Sequence, residues 1–199
     1  MSTSPIILAS GSAARKSMLR DAGLEFDVIP ADIDEYSLIK SLENNSDVAE
    51  ITERLAQEKT QHIAASYPDA LVIGSDQTLE LEGCILSKSA TIEESKEFLC
   101  KLAGKTHRLY SSVSVVKGDN TLFTHTDHAD LTMHNFDEAF LDVYAAKDPD
   151  ALTSCVGGYK IEGAGAWLFE SIKGDNFTIM GMPLLPLLAF LRTECKILP

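Results

Sequence analysis

The chain has 199 residues, and its 30 acidic side chains outnumber 17 lysines and arginines, which gives a formal net charge of −13. A chain of this length buries a substantial core, and we expect one domain over residues 1–199. The acidic balance argues against binding to nucleic acid or to an anionic membrane, because both need basic surfaces. An acidic protein that binds a polyanion instead needs locally concentrated cations or a metal ion.

The cysteines and the N-terminal residues indicate the compartment. The four cysteines are widely spaced and form no C-x-x-C pair, which predicts neither a zinc site nor a disulfide framework. The N-terminus lacks a basic segment before its short apolar run, and no apolar stretch reaches the length of a membrane span. We therefore expect a cytoplasmic protein with reduced thiols.

Residues 6–20 predict an apolar strand, a Gly/Ser turn and a helix with a basic face. A strand that stops at residues 10–12 leaves backbone N–H groups free at the start of the helix, beside two serine hydroxyls. Arg15 and Lys16 add positive charge there. The opening stretch therefore predicts an anion-binding site.

The alternating segment at residues 25–30 completes a strand, helix and strand, which is typical of a βαβ unit. The next helix is predicted to begin near residue 46 or 47, where Asp47 and Glu50 form a capping box. Lys59 lies one helical turn after Leu55 on the apolar stripe of this helix, so we expect it to point inward or along the core edge. A lysine that extends its ammonium to solvent is the alternative.

Residues 71–76 form a short apolar run that ends in Asp76, which is typical of a buried strand that delivers an acid at its carboxyl end. Open α/β sheets bind their ligands at that edge. A hairpin around Glu82 and Gly83 is predicted next, with Lys88 just beyond its second arm. We therefore expect Asp76 and Lys88 to lie near each other.

Turn, cap and alternation signals predict the remaining elements. In chain order these are a helix over residues 91–104, two long strands over 109–117 and 121–133, a helix capped by Asn135 and Glu138, an irregular glycine-rich loop over 149–165, two strands with Trp167 and Phe169 and then Phe177 and Ile179, and an apolar helix from Met182 to Arg192.

Several common chemistries have little support. His125 and His128 face opposite sides of a strand, which disfavours a zinc site. Ser10 and Ser12 lack the G-x-S-x-G elbow of acyl-enzyme hydrolases, and the nearby glycines match neither a dinucleotide fingerprint nor a P-loop. Charged residues at element ends and in loops remain, namely the cations Arg15, Lys16, Lys59 and Lys88 and the acids Glu35, Asp76 and Glu162. Such a set suits a phosphate chain bound by ammonium groups and a divalent ion, although solvated surface charge is the alternative.

Four segments carry a family resemblance: Ala9-Ser-Gly-Ser-Ala-Ala-Arg-Lys16, Asp32-Ile-Asp-Glu35, Leu55-Ala-Gln-Glu-Lys-Thr60 and Gly74-Ser-Asp76. With them the chain resembles the Maf family of nucleoside triphosphate pyrophosphatases from about residue 6 to residue 192. The resemblance implies a single Maf-like domain with an α/β fold, in which helices flank a twisted mixed sheet and two lobes surround a central cleft, as in inosine-triphosphatase-like proteins. It also suggests a homodimer.

The resemblance implies hydrolysis of a nucleoside triphosphate to the monophosphate and pyrophosphate, a house-cleaning reaction of the nucleotide pool. It gives Asp76 the role of the base that activates water. It also implies that Glu35 and Asp76 bind Mg²⁺ or Mn²⁺. The residues that it assigns to substrate binding are Ser10, Ser12, Arg15, Lys16, Lys59 and Lys88.

A finer resemblance is to the branch associated with 7-methyl-GTP, carried by Ile73-Gly-Ser-Asp-Gln77 and by the Lys-x-Glu-Gly pattern at residues 160–163. The dTTP/UTP branch usually has Thr and Gln in place of Gln77 and Glu162. These two residues are therefore candidates for base selectivity, because a carboxylate both neutralises a cationic methylated guanine and accepts its N–H groups.

The chain departs from the family pattern at three positions. Ala13 replaces a proline, Ala14 stands where an arginine or an aromatic residue is usual, and Ser89 replaces the proline after Lys88. The resemblance implies that Ala14 removes a side chain that contacts the base, which makes Ala14 a third specificity candidate. The departures also motivate a rival function, a nucleotide-binding regulatory protein with weakened catalysis. A phosphatase that releases orthophosphate is a further alternative.

Overall fold

The structure is a computed structural model that describes residues 4–43 and 46–197. Helices and strands alternate through most of this range. In chain order they are β1 (Ile6–Leu8), α1 (Ala13–Asp21), β2 (Asp27–Val28), α2 (Glu35–Leu42), α3 (Val48–Ala64), β3 (Leu71–Leu81), β4 (Cys84–Leu86), α4 (Ile92–Leu102), β5 (Thr106–Lys117), β6 (Asn120–Met133), α5 (Glu138–Lys147), α6 (Pro149–Ser154), a 3₁₀ helix (Ala164–Leu168), β7 (Phe169–Lys173), α7 (Asn176–Ile179) and α8 (Leu184–Thr193).

The strands form one seven-stranded sheet in the order β2-β1-β3-β5-β6-β7, with β4 paired to β3. β1 is parallel to both β2 and β3, and Ile7 is in register with Val72 of β3. The pairs β3 with β4 and β6 with β7 are antiparallel. The mixed sheet and its helices confirm the predicted α/β fold class.

The chain divides into two compact units. The first draws its residues from 1–77, 110–127 and 181–199, and the second from 78–109 and 128–180. The strands β3, β5 and β6 contribute residues to both units.

Each unit has its own apolar core. In the first unit, Ile63 and Ala64 of α3 pack with Ile7, Val72 and Val116 from three strands. In the second, leucines of α4 and α5 pack with Leu109 of β5, Leu131 of β6 and the ring of Tyr159. Helix and strand residues thus bury their apolar faces against each other within each unit.

Two predicted helix starts are confirmed by their caps. Asp47 and Glu50 form the predicted capping box of α3, since each side chain accepts a hydrogen bond from the other residue's backbone N–H. Thr91 caps α4 by accepting from the backbone N–H of Glu94. The cap of α5 is Asp137, which accepts from the N–H of Phe140, so the prediction of Asn135 as the cap is wrong.

The predicted end of β3 at Asp76 is also wrong. The strand continues to Leu81 because its second half pairs with β4, with Leu79 opposite Leu86. Asp76 therefore lies in the middle of an 11-residue strand rather than at its end.

The segment from residue 149 onward is more regular than predicted. Pro149 begins α6, where Asp148 caps the helix by accepting from the N–H of Ala151. Trp167 lies in the 3₁₀ helix, and a single strand, β7, follows instead of two. Phe177 lies in α7, whose cap Asp175 accepts two backbone N–H groups. The side-chain caps of α6 and α7 favour short helices at these positions, whereas the 3₁₀ helix that contains Trp167 has no side-chain cap.

All four cysteines are free thiols. Among the helices of the described residues, none has both the length and the apolar character needed to cross a bilayer.

Candidate active site

Lys59 lies where α3 packs on β3. Leu55 on the same stripe is fully buried, and only 12% of the Lys59 side chain is exposed. Its ammonium donates a hydrogen bond to Asp76 Oδ1, and Nζ lies 2.7 Å from Glu35 Oε1. The predicted inward orientation of Lys59 is therefore confirmed, and one cation contacts two carboxylates.

A glycine sets the close approach of α3 to β3. A Cβ added at Gly74 would overlap Thr60 Oγ1 and would lie 3.0 Å from the carbonyl oxygen of Ala56. Thr60 and Ala56 lie on the face of α3 that is buried against the strand. Because Gly74 is two residues before Asp76 and Thr60 follows Lys59, this contact brings the ammonium to the carboxylate.

Asp76 is buried, with 5% of the residue exposed. Burial raises the pKa of its carboxyl above the ordinary value, while the positive charges of Lys59 and Arg15 act in the opposite direction. A carboxylate with a raised pKa is a better proton acceptor than an exposed aspartate.

Arg15 is held by backbone carbonyls. Its Nε donates to the carbonyl oxygen of Gly181 at 2.7 Å, and its Nη1 donates to the carbonyl oxygen of Ser75 at 2.8 Å and to Ser10 Oγ at 3.2 Å. Burial lowers the pKa of the guanidinium, and the negative charges of Asp76 and Glu35 oppose that shift. Within residues 4–43 and 46–197, Nη2 makes no hydrogen bond, so its two N–H groups remain to bind a ligand.

The start of α1 has the features of an anion site. Ser12 is the N-cap, and its Oγ accepts from the backbone N–H of Arg15 at 3.4 Å. The N–H groups of Ala13 and Ala14 find no acceptor in the part of the chain that the structure describes. Lys16 is half-buried, and its ammonium forms no ion pair with any described residue. Free N–H groups and nearby cations favour a phosphate at this position.

The structure brings together only some of the predicted residues. Ser10, Arg15, Lys59, Asp76 and Glu35 belong to the first unit and are connected by the contacts above. Gln77 also belongs to this unit and donates from Nε2 to Ser111 Oγ at 3.0 Å.

Lys88 and Glu162 belong to the second unit, and both are exposed. The predicted proximity of Asp76 and Lys88 stays a prediction. Near Glu162, the Lys160 ammonium lies 3.6 Å from Asp148 Oδ1.

A family model described as Maf-like protein matches residues 5–194. The chain belongs to the Maf-like family. Proteins named nucleoside triphosphate pyrophosphatase are similar over nearly the whole chain. The one from Bradyrhizobium diazoefficiens is 46% identical over 96% of this chain and 94% of its own. The one from Granulibacter bethesdensis is 44% identical over 94% of this chain and 95% of its own. The one from Rhodopseudomonas palustris strain HaA2 is 43% identical over 96% of this chain and 94% of its own.

Solved structures show more distant similarity to this Maf-like chain. A nucleoside-triphosphatase/dITP/XTP pyrophosphatase from Mycobacterium abscessus is 8% identical, with a TM-score of 0.43 over 96% of this chain and 95% of its own. The Ham1 protein of Staphylococcus aureus is 21% identical, with a TM-score of 0.37 over 65% of this chain and 71% of its own.

The metal ligands predicted for this Maf-like chain are Glu35 and Asp76. Their carboxylates converge on one ammonium, and oxygen ligands of this kind suit Mg²⁺ or Mn²⁺. No group of three or more His, Cys, Asp and Glu residues able to hold a metal occurs among the described residues. Two carboxylates remain a reasonable donor set, since Mg²⁺ usually completes its coordination with substrate phosphates and water.

Ser75 and Gly181 of the Maf-like chain were missed by the sequence analysis, although both bind Arg15. In the sequence, Ser75 is only the middle residue of Gly74-Ser-Asp76. No pattern within a buried strand indicates which backbone carbonyl accepts a hydrogen bond from a distant side chain. Gly181 carries one usable signal. It is a glycine two residues before Pro183, at the predicted start of the last helix, and such glycines often need a positive φ.

Proposed function

We propose that the chain is a nucleoside triphosphate pyrophosphatase, a hydrolase that cleaves the α–β phosphoanhydride bond and releases a nucleoside monophosphate and pyrophosphate. The observation that carries the proposal is the contact of the largely buried Lys59 ammonium with the buried Asp76 and with the exposed Glu35, in a Maf-like chain whose relatives bear that name. A buried cation between two acids suits a site that handles both phosphate charge and proton transfer.

The phosphate chain binds at the start of α1. Free backbone N–H groups, the Nη2 of Arg15 and the hydroxyl of Ser10 donate hydrogen bonds there, and Lys16 adds charge. Ser12 supports the site as the helix cap. In this proposal the Lys88 ammonium also binds the departing pyrophosphate. These donors stabilise the charge that develops on the leaving group as the anhydride bond breaks.

Asp76 is the base in this proposal. Water attacks the α-phosphorus opposite the leaving pyrophosphate, and Asp76 accepts the proton of that water. Burial supports this role because it raises the pKa of the carboxyl, and Lys59 holds the carboxylate in one orientation until the nucleotide binds.

Glu35 and Asp76 would hold Mg²⁺ or Mn²⁺ in this proposal. When bound, the ion would neutralise phosphate charge and polarise the reacting phosphoryl group. Lys59 then releases the carboxylates and turns its ammonium to the phosphates, where its charge is needed.

The proposed substrate class is 7-methyl-GTP or another modified nucleotide. Glu162 neutralises a cationic base and accepts its N–H groups, and Gln77 contributes a further hydrogen bond. Ala14 is half-buried and small, which leaves room beside the base. We further propose that the chain acts as a homodimer in the cytoplasm, without nucleic acid or membrane partners, and light scattering of the purified protein tests the dimer.

The decisive experiment incubates the protein and Mg²⁺ or Mn²⁺ with 7-methyl-GTP, dTTP, UTP and the common nucleotides. Pyrophosphate and orthophosphate are scored separately. Release of pyrophosphate supports the proposal, and release of orthophosphate identifies a phosphatase. Tight binding of nucleotide without release of either product supports the regulatory protein.

Base selectivity is tested with Glu162→Gln, which keeps the size of the side chain and removes its charge. We expect the ratio of kcat/KM for 7-methyl-GTP to that for GTP to fall. Glu170→Gln is a matched control, because Glu170 is an exposed glutamate of the same unit. An unchanged ratio in Glu162→Gln contradicts the assignment.

A further inference from the structure

Gly181 lies just before α8 and is buried. Its carbonyl oxygen accepts from Arg15 Nε at 2.7 Å and lies 2.8 Å from Ser75 Oγ. The residue has a φ of +104°, which L side chains rarely adopt. The backbone at Gly181 is therefore turned into a conformation that points its carbonyl at the guanidinium.

Gly181 also leaves the space that the guanidinium fills. A Cβ at this position would lie 3.3 Å from both Nε and Nη2 of Arg15, and 3.7 Å from its Cζ. These contacts are tighter than most real Cβ contacts, so a side chain at residue 181 would require the guanidinium to shift by a few tenths of an ångström. Glycine is needed at this position for two reasons: it adopts the positive φ, and it leaves space for the guanidinium.

Ser75 holds the guanidinium from the strand side. Its carbonyl oxygen accepts from Arg15 Nη1 at 2.8 Å. Its Oγ is fully buried and lies 2.7 Å from the carbonyl oxygen of Ser112, in addition to the contact with Gly181. Both of these carbonyl oxygens can only accept, so they share the single hydroxyl proton of Ser75. The Ser75 side chain thus links β3 to β5 and to the segment before α8.

The guanidinium orientation follows from these bonds. Gly181, Ser75 and Ser10 use three of the five N–H groups of Arg15, and the two on Nη2 remain. A planar guanidinium bound through Nε and Nη1 has no freedom to rotate, so the direction of Nη2 is fixed before any ligand arrives. Fixed donors cost no reorganisation when charge develops on a substrate.

We propose that Gly181 and Ser75 are positioning residues, which aim the Nη2 of Arg15 at a phosphate oxygen of the nucleotide. The inference rests on the proposed function and extends it to a residue 166 positions away in sequence from Arg15. It assigns Gly181 no contact with substrate. Its effect passes entirely through the guanidinium.

The first test is Gly181→Ala, compared with Gly118→Ala as a matched control. Gly118 belongs to the same unit and also has a positive φ of +55°, but a Cβ there would meet only the carbonyl oxygen of Pro68, at 3.6 Å. Both variants therefore introduce a side chain at a positive φ, and thermal melting reports the loss of stability in each. We expect Gly181→Ala to lower kcat/KM about tenfold and Gly118→Ala to leave it within about twofold.

The second test is a double-mutant cycle that a purely structural role would not satisfy. In the Arg15→Ala background, Gly181→Ala should change kcat/KM by less than about twofold, because the group that it displaces is gone. Ser75→Ala should lose most of its effect in the same background. An equal loss in both backgrounds would overturn the inference, since Gly181 would then act by another route.

Binding of inorganic tripolyphosphate separates this inference from the proposed function. Calorimetry measures its affinity for the wild type, for Gly181→Ala, for Arg15→Ala and for the double variant. If no nucleotide releases pyrophosphate, the proposed function fails, and the same non-additive pattern in affinity still supports the positioning role. If Arg15→Ala or Gly181→Ala binds tripolyphosphate as tightly as the wild type, the inference is overturned whatever the hydrolysis assay shows.

Discussion

The ammonium of Lys59 and the carboxylate of Asp76 are hydrogen-bonded between α3 and β3, and both groups are nearly excluded from solvent. The same ammonium lies 2.7 Å from Glu35 Oε1, at the first residue of α2. Both carboxylates assigned to the metal ion thus share one internal cation when no ligand is bound. A divalent cation that arrives without nucleotide must displace the ammonium, whereas a nucleotide offers the ammonium a new partner.

Lys59→Met should therefore increase the affinity for free Mn²⁺. Removal of the ammonium leaves Glu35 and Asp76 without their cation, and we expect Mn²⁺ to bind about tenfold more tightly in the absence of nucleotide. Calorimetry or electron paramagnetic resonance of Mn²⁺ measures this directly. The control is Lys40→Met, which removes an exposed ion pair with Glu43 at 2.8 Å. Equal Mn²⁺ affinity in the wild type and Lys59→Met would contradict the competition.

Asp76→Asn should reduce kcat by about 10²–10⁴-fold, the usual contribution of a general base. The exposed Asp69 offers a control, because Asp69→Asn makes the same change in the first unit away from the site. Circular dichroism of both variants shows whether the fold is retained. Turnover of Asp76→Asn close to the wild-type value, with metal present, would exclude Asp76 as the base.

The pH profile of the wild type tests the same assignment. Since burial raises the pKa of Asp76 in the free protein, the acidic limb of the kcat/KM profile should lie at higher pH than an ordinary aspartate with a pKa of 3.8 would give. Activity requires the ionised carboxylate, so kcat/KM should rise as pH increases through that limb. The limb should disappear in the residual activity of Asp76→Asn.

Gly74→Ala should move α3 away from β3. The new Cβ would overlap Thr60 Oγ1 and meet the carbonyl oxygen of Ala56, so we expect a loss of about 1–3 kcal/mol in the free energy of unfolding, together with reduced kcat. Urea denaturation and the pyrophosphate assay measure the two effects. The additional change Thr60→Ala removes the overlapping oxygen and should restore part of both. An active and fully stable Gly74→Ala would show that the close approach is unnecessary.

The local sequence predicted the inward orientation of Lys59, because Lys59 lies on the apolar stripe of α3. A strand, a serine turn and a basic helix also predicted the free N–H groups beside hydroxyls and cations at the start of α1. The carbonyls of Ser75 and Gly181 were beyond prediction, because every residue has a carbonyl and only tertiary packing decides which one meets Arg15. The extension of β3 past Asp76 was missed for a similar reason, since strand pairing with β4 overrides the local end signal.

His107 in the second unit gives a prediction on stability. The residue is buried, its Nε2 shares a hydrogen bond of 2.6 Å with the Tyr159 hydroxyl, and its Nδ1 has no hydrogen-bond partner in the described part of the chain. Burial lowers the pKa of His107 to about 4, and it raises that of Tyr159, so both groups are neutral near pH 7. The folded protein therefore binds a proton at His107 less readily than the unfolded chain.

As pH falls through 6.5, the unfolded chain takes up this proton first, and stability that is complete above pH 6.5 is lost progressively toward pH 4. Between pH 7 and pH 5 the histidine should remove about 2 kcal/mol from the free energy of unfolding. Urea denaturation at both pH values measures the loss in the free energy of unfolding for the wild type and for His107→Gln. The loss in His107→Gln should be smaller than that in the wild type by about 2 kcal/mol. His134→Gln is the matched control, since it makes the same substitution at an exposed position of the same unit. If His107→Gln loses as much stability as the wild type over this range, the buried imidazole is not the group that titrates.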